Sequence, residues 1–299
     1  CPAMQRTCAV PMTAARNVSV EFRPIPTVPQ LARPMNGAYI GSAVVIGTRK
    51  PKFVWRPSTV AGGGAITYDL QYSSDQTFAT GVTVQSGLTL TEFQPSVDLA
   101  IDTIAPKGRR YFWRVRACSA SMCSSYPTRY LVNVGRSDND VNGDGLGDLI
   151  VGRNNRASVY FGSSTSPLGS VTHLAVTGSP TLAVGDFNGD GFGDLAVGVP
   201  GDDTAAVNAG KVVVYFGATP FNTTADYTLL GFAANDALGS ALAFADFNAD
   251  GYDDLVVGAP GYDLVGLVDA GRADVYLGAS SPVATSVRTY YGAAADHRT

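Results

Sequence analysis

The chain has 299 residues, 45% of them hydrophobic, with 34 Gly, 17 Pro and a net charge of -4. That length accommodates about two domains. The only glutamates are Glu21 and Glu92, and Val, Thr, Tyr, Gly and Asp dominate instead, which is strand-and-turn chemistry and excludes a protein of long helices.

The net charge hides a split. Residues 30–136 carry twelve Lys/Arg against five acidic residues, a net of +7, whereas residues 137–299 carry six against nineteen Asp, a net of -13. Such a break near residue 136 marks a domain boundary. The acidic half repels phosphate, and the basic half is too poor in Lys for a nucleic-acid arm, so no nucleic acid is expected as a partner. No apolar run reaches the roughly 18 residues that a membrane span needs. No signal peptide is visible, and the chain begins with Cys1, so its N-terminus reads as processed or truncated.

The four cysteines fall as two close pairs, Cys1/Cys8 and Cys118/Cys123. Neither has metal-site spacing. Two local disulfides and an oxidising compartment are the simplest reading, with four reduced thiols as the alternative.

Residues 1–29 come first in the chain. The run from Cys8 to Phe22, ending in Val18-Ser-Val20-Glu-Phe22, resembles the closing strands of a small repeat common in secreted bacterial proteins. Cys1 is then an interior cysteine rather than a lipid anchor. Pro24, Pro26 and Pro29 follow as an extended linker.

Residues 30–136 have a strand rhythm. Phe53-Val-Trp55 reads as an early strand, and Thr67-Tyr-Asp-Leu-Gln-Tyr72 alternates before a break at Ser73-Ser-Asp-Gln76. In the segment Arg110–Ala117, Tyr111, Trp113, Val115 and Ala117 share one face, and Phe112, Arg114 and Arg116 share the other. Tyr130-Leu-Val-Asn-Val134 closes the set. About 100 residues of this kind suggest a β-sandwich. The Tyr-Phe-Trp-Arg-Val-Arg-Ala string, the upstream Trp55 and the last strand resemble an Ig-like, fibronectin type III domain. Trp55 and Trp113 are expected in its core. Arg109, Arg110, Arg114 and Arg116 are expected on a solvated sheet face, with an anionic ligand as the alternative.

Residues 137–299 contain a repeat. Copy one reads Asp140-Val-Asn-Gly-Asp-Gly-Leu-Gly-Asp148, copy two Asp186-Phe-Asn-Gly-Asp-Gly-Phe-Gly-Asp194, and copy three Asp246-Phe-Asn-Ala-Asp-Gly-Tyr-Asp-Asp254. Each leads into a strand ending in Gly (Gly152, Gly198, Gly258). A second strand follows, in Ser158-Val-Tyr-Phe-Gly162, Val213-Val-Tyr-Phe-Gly217 and Asp274-Val-Tyr-Leu-Gly278. Apolar strands precede loops two and three, at Thr181–Gly185 and Ala241–Ala245. Each unit has room for four short strands, the size of one propeller blade.

Calcium wants six to eight oxygens at about 2.3–2.6 Å, and a nine-residue loop supplies them from positions 1, 3, 5, 7 and 9. Those are Asp140, Asn142, Asp144, the carbonyl of Leu146 and Asp148 in loop one. Loop two offers Asp186, Asn188, Asp190, the carbonyl of Phe192 and Asp194. Loop three offers Asp246, Asn248, Asp250, the carbonyl of Tyr252 and Asp254. Gly145, Gly191 and Gly251 permit the tight turn. The three carboxylates of a loop are expected to converge within a few ångströms, so that about three Ca2+ ions would be bound. Position 12 is Val151, Val197 or Val257, not the Glu of an EF-hand, and strands flank the loop. Plain Asp-Gly turns without an ion are the bland alternative.

These units resemble the FG-GAP repeats of integrin α-chain β-propellers, found also in bacterial surface proteins. Leu238-Gly239 stands at the Phe-Gly position, Gly258-Ala-Pro260 is the Gly-Ala-Pro, and copy two has Gly198-Val-Pro200. Copy one departs, with Gly152-Arg-Asn154. The expected fold is therefore all-β: an Ig-like, fibronectin type III-like sandwich followed by a partial β-propeller. Tyr290-Tyr-Gly-Ala-Ala-Ala-Asp-His297 resembles the lead-in to copy three. The chain thus reads as part of a longer protein, with the remaining blades outside it.

The resemblance implies an extracellular or cell-surface protein that binds a protein or glycan ligand. No Arg-Gly-Asp tripeptide, Gly-x-Ser-x-Gly elbow or His-Glu-x-x-His motif occurs. His173 and His297 stand far apart and read as surface residues. No catalysis by this chain is expected. A carbohydrate-binding propeller and an accessory region of a larger secreted enzyme are the alternatives.

Overall fold

The computed structural model describes residues 23–294 apart from 121 and 167. The Cys1/Cys8 pair, the strands read into residues 8–22 and His297 lie outside the described residues. All twenty described secondary-structure elements are strands.

The first nine build a two-sheet sandwich. They are β1 (Leu31–Arg33), β2 (Ala38–Ile40), β3 (Phe53–Trp55), β4 (Thr67–Ser73), β5 (Thr83–Leu88), β6 (Glu92–Phe93), β7 (Arg109–Ser119), β8 (Met122–Cys123) and β9 (Tyr130–Val134). One sheet runs β1-β3-β6. The other runs β2-β9-β7-β4-β5, with β8 paired to β7. β2 lies parallel to β9, while the other pairs are antiparallel.

The alternation read in β7 holds on its inner face. Tyr111, Trp113, Val115 and Ala117 are buried beside Phe53, Trp55, Leu70 and Val132. Phe53 lies 5.2 Å from Trp113 and 5.4 Å from Tyr72, the centroid spacing at which aromatic pairs attract. Cys118 and Cys123 face each other across β7 and β8 and form a disulfide.

The arginines of β7 form only in part the solvated face that was expected, since Arg116 stays 37% exposed but Arg110 only 15%. Arg114 donates to Gln71 and stacks on Phe78 and Tyr126, and Arg116 pairs with Asp69. Arg109 pairs with Asp102, and Arg110 leaves the sandwich altogether to reach Asp186. Guanidinium stems cover apolar surface while the heads find carboxylates, amides and aromatic faces.

The remaining strands form three consecutive blades. Blade one is β10 (Leu149–Arg153), β11 (Arg156–Tyr160) and β12 (Val171–Ala175). Blade two is β13 (Thr181–Gly185), β14 (Asp194–Val199), β15 (Lys211–Tyr215) and β16 (Tyr227–Leu230). Blade three is β17 (Ala241–Ala245), β18 (Asp254–Ala259), β19 (Arg272–Tyr276) and β20 (Arg288–Tyr291). Every blade is an antiparallel meander. Blades two and three have the expected four strands, but blade one has three. The strand that would precede its loop is β9, which is committed to the sandwich.

The blades stack face to face. Ala157, Val159 and Leu174 of blade one meet Leu195, Val197, Val213 and Tyr215 of blade two. Ala196, Val212, Val214 and Leu229 of blade two meet Leu255, Val257 and Tyr276 of blade three. The stacking is close enough to dictate glycine. A Cβ at Gly198 would collide with the carbonyl oxygen of Gly239, whose amide bonds Gly258 O at 2.9 Å. The glycines of the Leu-Gly and Gly-Ala-Pro pieces are thus places where neighbouring backbones touch. The result is an open, partial propeller within an all-β protein.

Candidate metal centres

Each nine-residue loop leads directly into a strand of its blade: loop one into β10, the edge strand of blade one, loop two from β13 into the inner strand β14, and loop three from β17 into the inner strand β18. The same wiring recurs in all three. The position-three Asn accepts the position-five amide through Oδ1, at 3.0 Å in Asn142, 2.9 Å in Asn188 and 2.8 Å in Asn248. Its Nδ2 donates to the position-five carboxylate, at 3.1, 2.8 and 2.9 Å to Asp144, Asp190 and Asp250. Those carboxylates accept the amides of Leu146, Phe192 and Tyr252. The position-six glycines have φ of 84°, 95° and 100°, the left-handed region that a side chain disfavours.

Position nine is a staple as well as a candidate ligand. Asp148 accepts the amides of Val141 and Gly162, Asp194 those of Phe187, Asn188 and Gly217, and Asp254 those of Phe247 and Gly278. One carboxylate thus ties the loop's start to the glycine that ends the blade's next strand. That explains why Asp and that glycine recur together in the sequence.

The expected convergence of the three carboxylates is looser than the sequence implied. Among the described residues, only Asp69, Cys118 and Cys123 bring three His, Cys, Asp or Glu donor atoms within 4.8 Å of one another. The loop carboxylates are held apart by the amides they accept. The Asp69 group is no metal site, because both sulfurs are spent in the disulfide.

Electrostatics mark the loops as places that need positive charge. Burial pushes the Asp194 carboxyl up to about 8, with Asp186 and Asp190 adding repulsion. Burial likewise pushes Asp140 up to about 6, with Asp144 and Asp148 beside it. Asp148, Asp190, Asp246 and Asp254 are also raised, burial being the first cause in each. A buried carboxylate resists ionisation unless an opposite charge faces it. Each loop combines three carboxylates, an amide oxygen and a main-chain carbonyl, with no nitrogen or sulfur donor. This hard-oxygen set fits calcium.

Loop two has partners that the sequence reading missed. Arg110 Nη2 donates to Asp186 Oδ2 at 2.8 Å, and Arg136 Nη1 stands 3.7 Å from the same oxygen. Asp253 accepts the Asp186 amide at 2.8 Å and donates its own amide to Asp186 O at 3.0 Å. A signal for the last was present: Asp253 stands where the other copies have Gly147 and Gly193. Nothing in the local sequence of Arg110 or Arg136 pointed to a contact across domains. Of the histidines, His173 pairs with Ser158 at 3.0 Å on the sheet of blade one, away from the loops.

Comparisons with known proteins agree with the repeat. The FG-GAP repeat family matches residues 180–215 and 238–276, and an FG-GAP-like repeat family matches residues 140–197. Residues 140–276 therefore carry FG-GAP repeats. A stretch of 40 residues, 13% of this chain, is 60% identical to phosphatidylinositol-glycan-specific phospholipase D of Bos taurus, and spans 4% of that protein's length. Among solved structures, the chain aligns with a rhamnogalacturonan lyase of Bacillus licheniformis at 11% identity and a TM-score of 0.27, over 90% of this chain and 43% of the lyase. It aligns with the FN1–FN3 domains of chicken CNTN1 at 11% identity and a TM-score of 0.26, over 90% of this chain and 68% of that one. No described helix is long and apolar enough to cross a membrane.

Proposed function

We propose that the chain is an extracellular, calcium-binding modular protein. In this reading a fibronectin type III-like sandwich over residues 30–136 carries FG-GAP blades over 137–299, and about three Ca2+ ions stiffen the blades. The assembly serves adhesion, ligand binding or structural display, and the chain performs no catalysis itself. The observation that carries the reading is the threefold recurrence of one oxygen-lined loop, with the same Asn-to-Asp wiring and the same position-nine staple. The disulfide fits an oxidising compartment.

The ion's contribution follows from the loops. Asp140, Asp144 and Asp148 would hold one ion with Asn142 and the Leu146 carbonyl, and the same positions would serve in loops two and three. Calcium would offset the repulsion among buried carboxylates and fix the entry to the strand that follows each loop. A thermal melt of the whole chain in calcium and in chelator tests this. The propeller transition is expected to rise with calcium, and Asp190→Ala and Asp250→Ala are each expected to shrink the rise. A folded chain whose melt ignores calcium in every variant refutes the reading.

The 40-residue likeness to a phospholipase favours a second reading, a non-catalytic accessory region of a larger enzyme. Sequencing the full transcript and assaying its product for lipase or glycosidase activity decides between them.

A further inference from the structure

The three loops share one end of the blades, and the sandwich sits against that end. Lys107 N donates to Gly143 O at 2.9 Å, and a Cβ at Gly145 would stand 2.8 Å from that of Ala43. A Cβ at Gly251 would stand 3.8 Å from Phe112 and 3.9 Å from Leu131, and the Gly251 carbonyl accepts Arg110 Nη1. A Cβ at Gly191 would collide with the Arg136 guanidinium. Loop two receives the most charge from the sandwich: Arg110 and Arg136 both reach its position-one carboxylate, whereas loop three meets Arg110 only at the Gly251 carbonyl, which is not one of its ligand positions. Among the described residues, the position-one carboxylates of loops one and three accept only loop amides: Asp140 from Asp144 and Gly145, Asp246 from Asp250 and Gly251. Asp186 accepts Gly191 N on Oδ1 and gives Oδ2 to the two guanidiniums.

We propose that Arg110 and Arg136 are counter-cations for Asp186 that make loop two the weakest of the three calcium sites and couple its ion to the sandwich–propeller joint. The proposal rests on the reading of the loops as calcium sites. Both arginine side chains are only 15% exposed, and Asp186 is 7% exposed, so solvent screens the pair poorly. Two guanidiniums share one carboxylate oxygen, and Arg136 Nε is buried with no partner, so their charge is not fully consumed. Arg136 also acts on the Asp190 carboxylate, so the charge reaches a second ligand of loop two. Asp253, which bonds the Asp186 amide, holds the anionic side of the cluster against both loops.

The sign of the coupling follows. Ligand oxygens and ion are attracted, but guanidinium and ion repel, so the arginines lower calcium affinity most at loop two, where both reach a ligand carboxylate, and less at loop three, where Arg110 touches only the Gly251 carbonyl. By reciprocity, calcium in loop two weakens the Arg110–Asp186 contact by the same factor. Calcium then stiffens the blades while it softens the joint that carries the sandwich. A unit charge about 6 Å from a divalent ion changes affinity about tenfold even at water-like screening, so tenfold is the lower bound for this poorly screened site.

Calcium titration of the whole chain by calorimetry tests this. Wild type is expected to show two tighter sites and one weaker site, and Asp190→Ala is expected to delete the weaker one. Arg110→Gln is expected to tighten that site by about tenfold or more, whereas Arg110→Lys, which keeps the charge, leaves it weak. Arg136→Gln, at the longer distance, gives a smaller gain in the same direction and serves if Arg110→Gln does not fold. Two spin labels, one on the sandwich and one on blade three, should show a broader distance distribution in calcium than in chelator, and this difference should vanish in Asp190→Ala. An unchanged or weaker loop-two site in both Gln variants overturns the proposal while leaving the calcium reading intact. A wild-type chain that binds no calcium overturns both.

Discussion

Phe187 and Phe247 occupy the same position in consecutive repeats and have opposite environments, which allows one substitution to be compared with itself. Phe187 is 3% exposed, with ring centroids 5.8 Å from Phe244 and 6.4 Å from Tyr227. It is wedged between blades two and three. Phe247 is 60% exposed, on the face of blade three that carries Val256, Val275 and Tyr290. Truncating a buried Phe removes its transfer free energy and leaves a cavity, which together cost about 3–5 kcal/mol. Truncating an exposed one away from special features stays within about 0.5 kcal/mol. Phe187→Ala is therefore expected to destabilise the propeller transition by about 3–5 kcal/mol and Phe247→Ala by about a tenth of that. Urea denaturation, followed by circular dichroism with the sandwich transition as an internal reference, measures both. Equal costs would refute the stacking described above, because the third blade's face would then be covered like the second's. An equal lack of cost would refute the packing of Phe187 between blades.

Two further outcomes are expected. In chelator the propeller should lose stability as pH rises from about 4 to about 8, because Asp140 and Asp194 are raised to about 6 and about 8 by burial. A raised carboxyl favours the protonated folded state, so its contribution is complete below the unfolded value near 3.8 and fades as the folded value is passed. The calcium-minus-chelator difference in melting temperature should widen over the same range, and a flat chelator profile between pH 5 and 8 would count against the burial of these carboxyls. Replacing Cys118 and Cys123 by Ser opens a short loop and should cost the sandwich about 2 kcal/mol while leaving the propeller transition in place, as separate melts of the two transitions will show.

The loops were legible in the sequence because their chemistry is local. Ligand positions, turn glycines and the following apolar strand all fall within about a dozen residues, and repetition separates them from chance. The inner face of β7 was legible for the same reason, since strand alternation needs only neighbours. What escaped the reading lies across distance. Arg110 has a plain strand context, and only the fold brings it to Asp186, 76 positions away. The arginine face of β7 looked solvent-facing because alternation tells which residues share a side, not what stands opposite. Blade one looked like a four-strand unit by length, but β9 cannot serve two sheets. The carboxylates looked convergent because spacing ignores the backbone amides that claim their lone pairs.

The sharing of β9 bears on how tension crosses the molecule. β9 ends at Val134 and loop one begins at Asp140, so five residues separate sandwich from metal loop. Fully extended, such a stretch spans at most about 18 Å. A pull applied to the sandwich has little slack to take up and arrives directly on loop one, before any blade-to-blade contact is loaded. The first element to yield is then the shortest covalent path rather than the largest apolar interface. Asp148, which ties Val141 to Gly162, is the clasp through which that load passes into blade one.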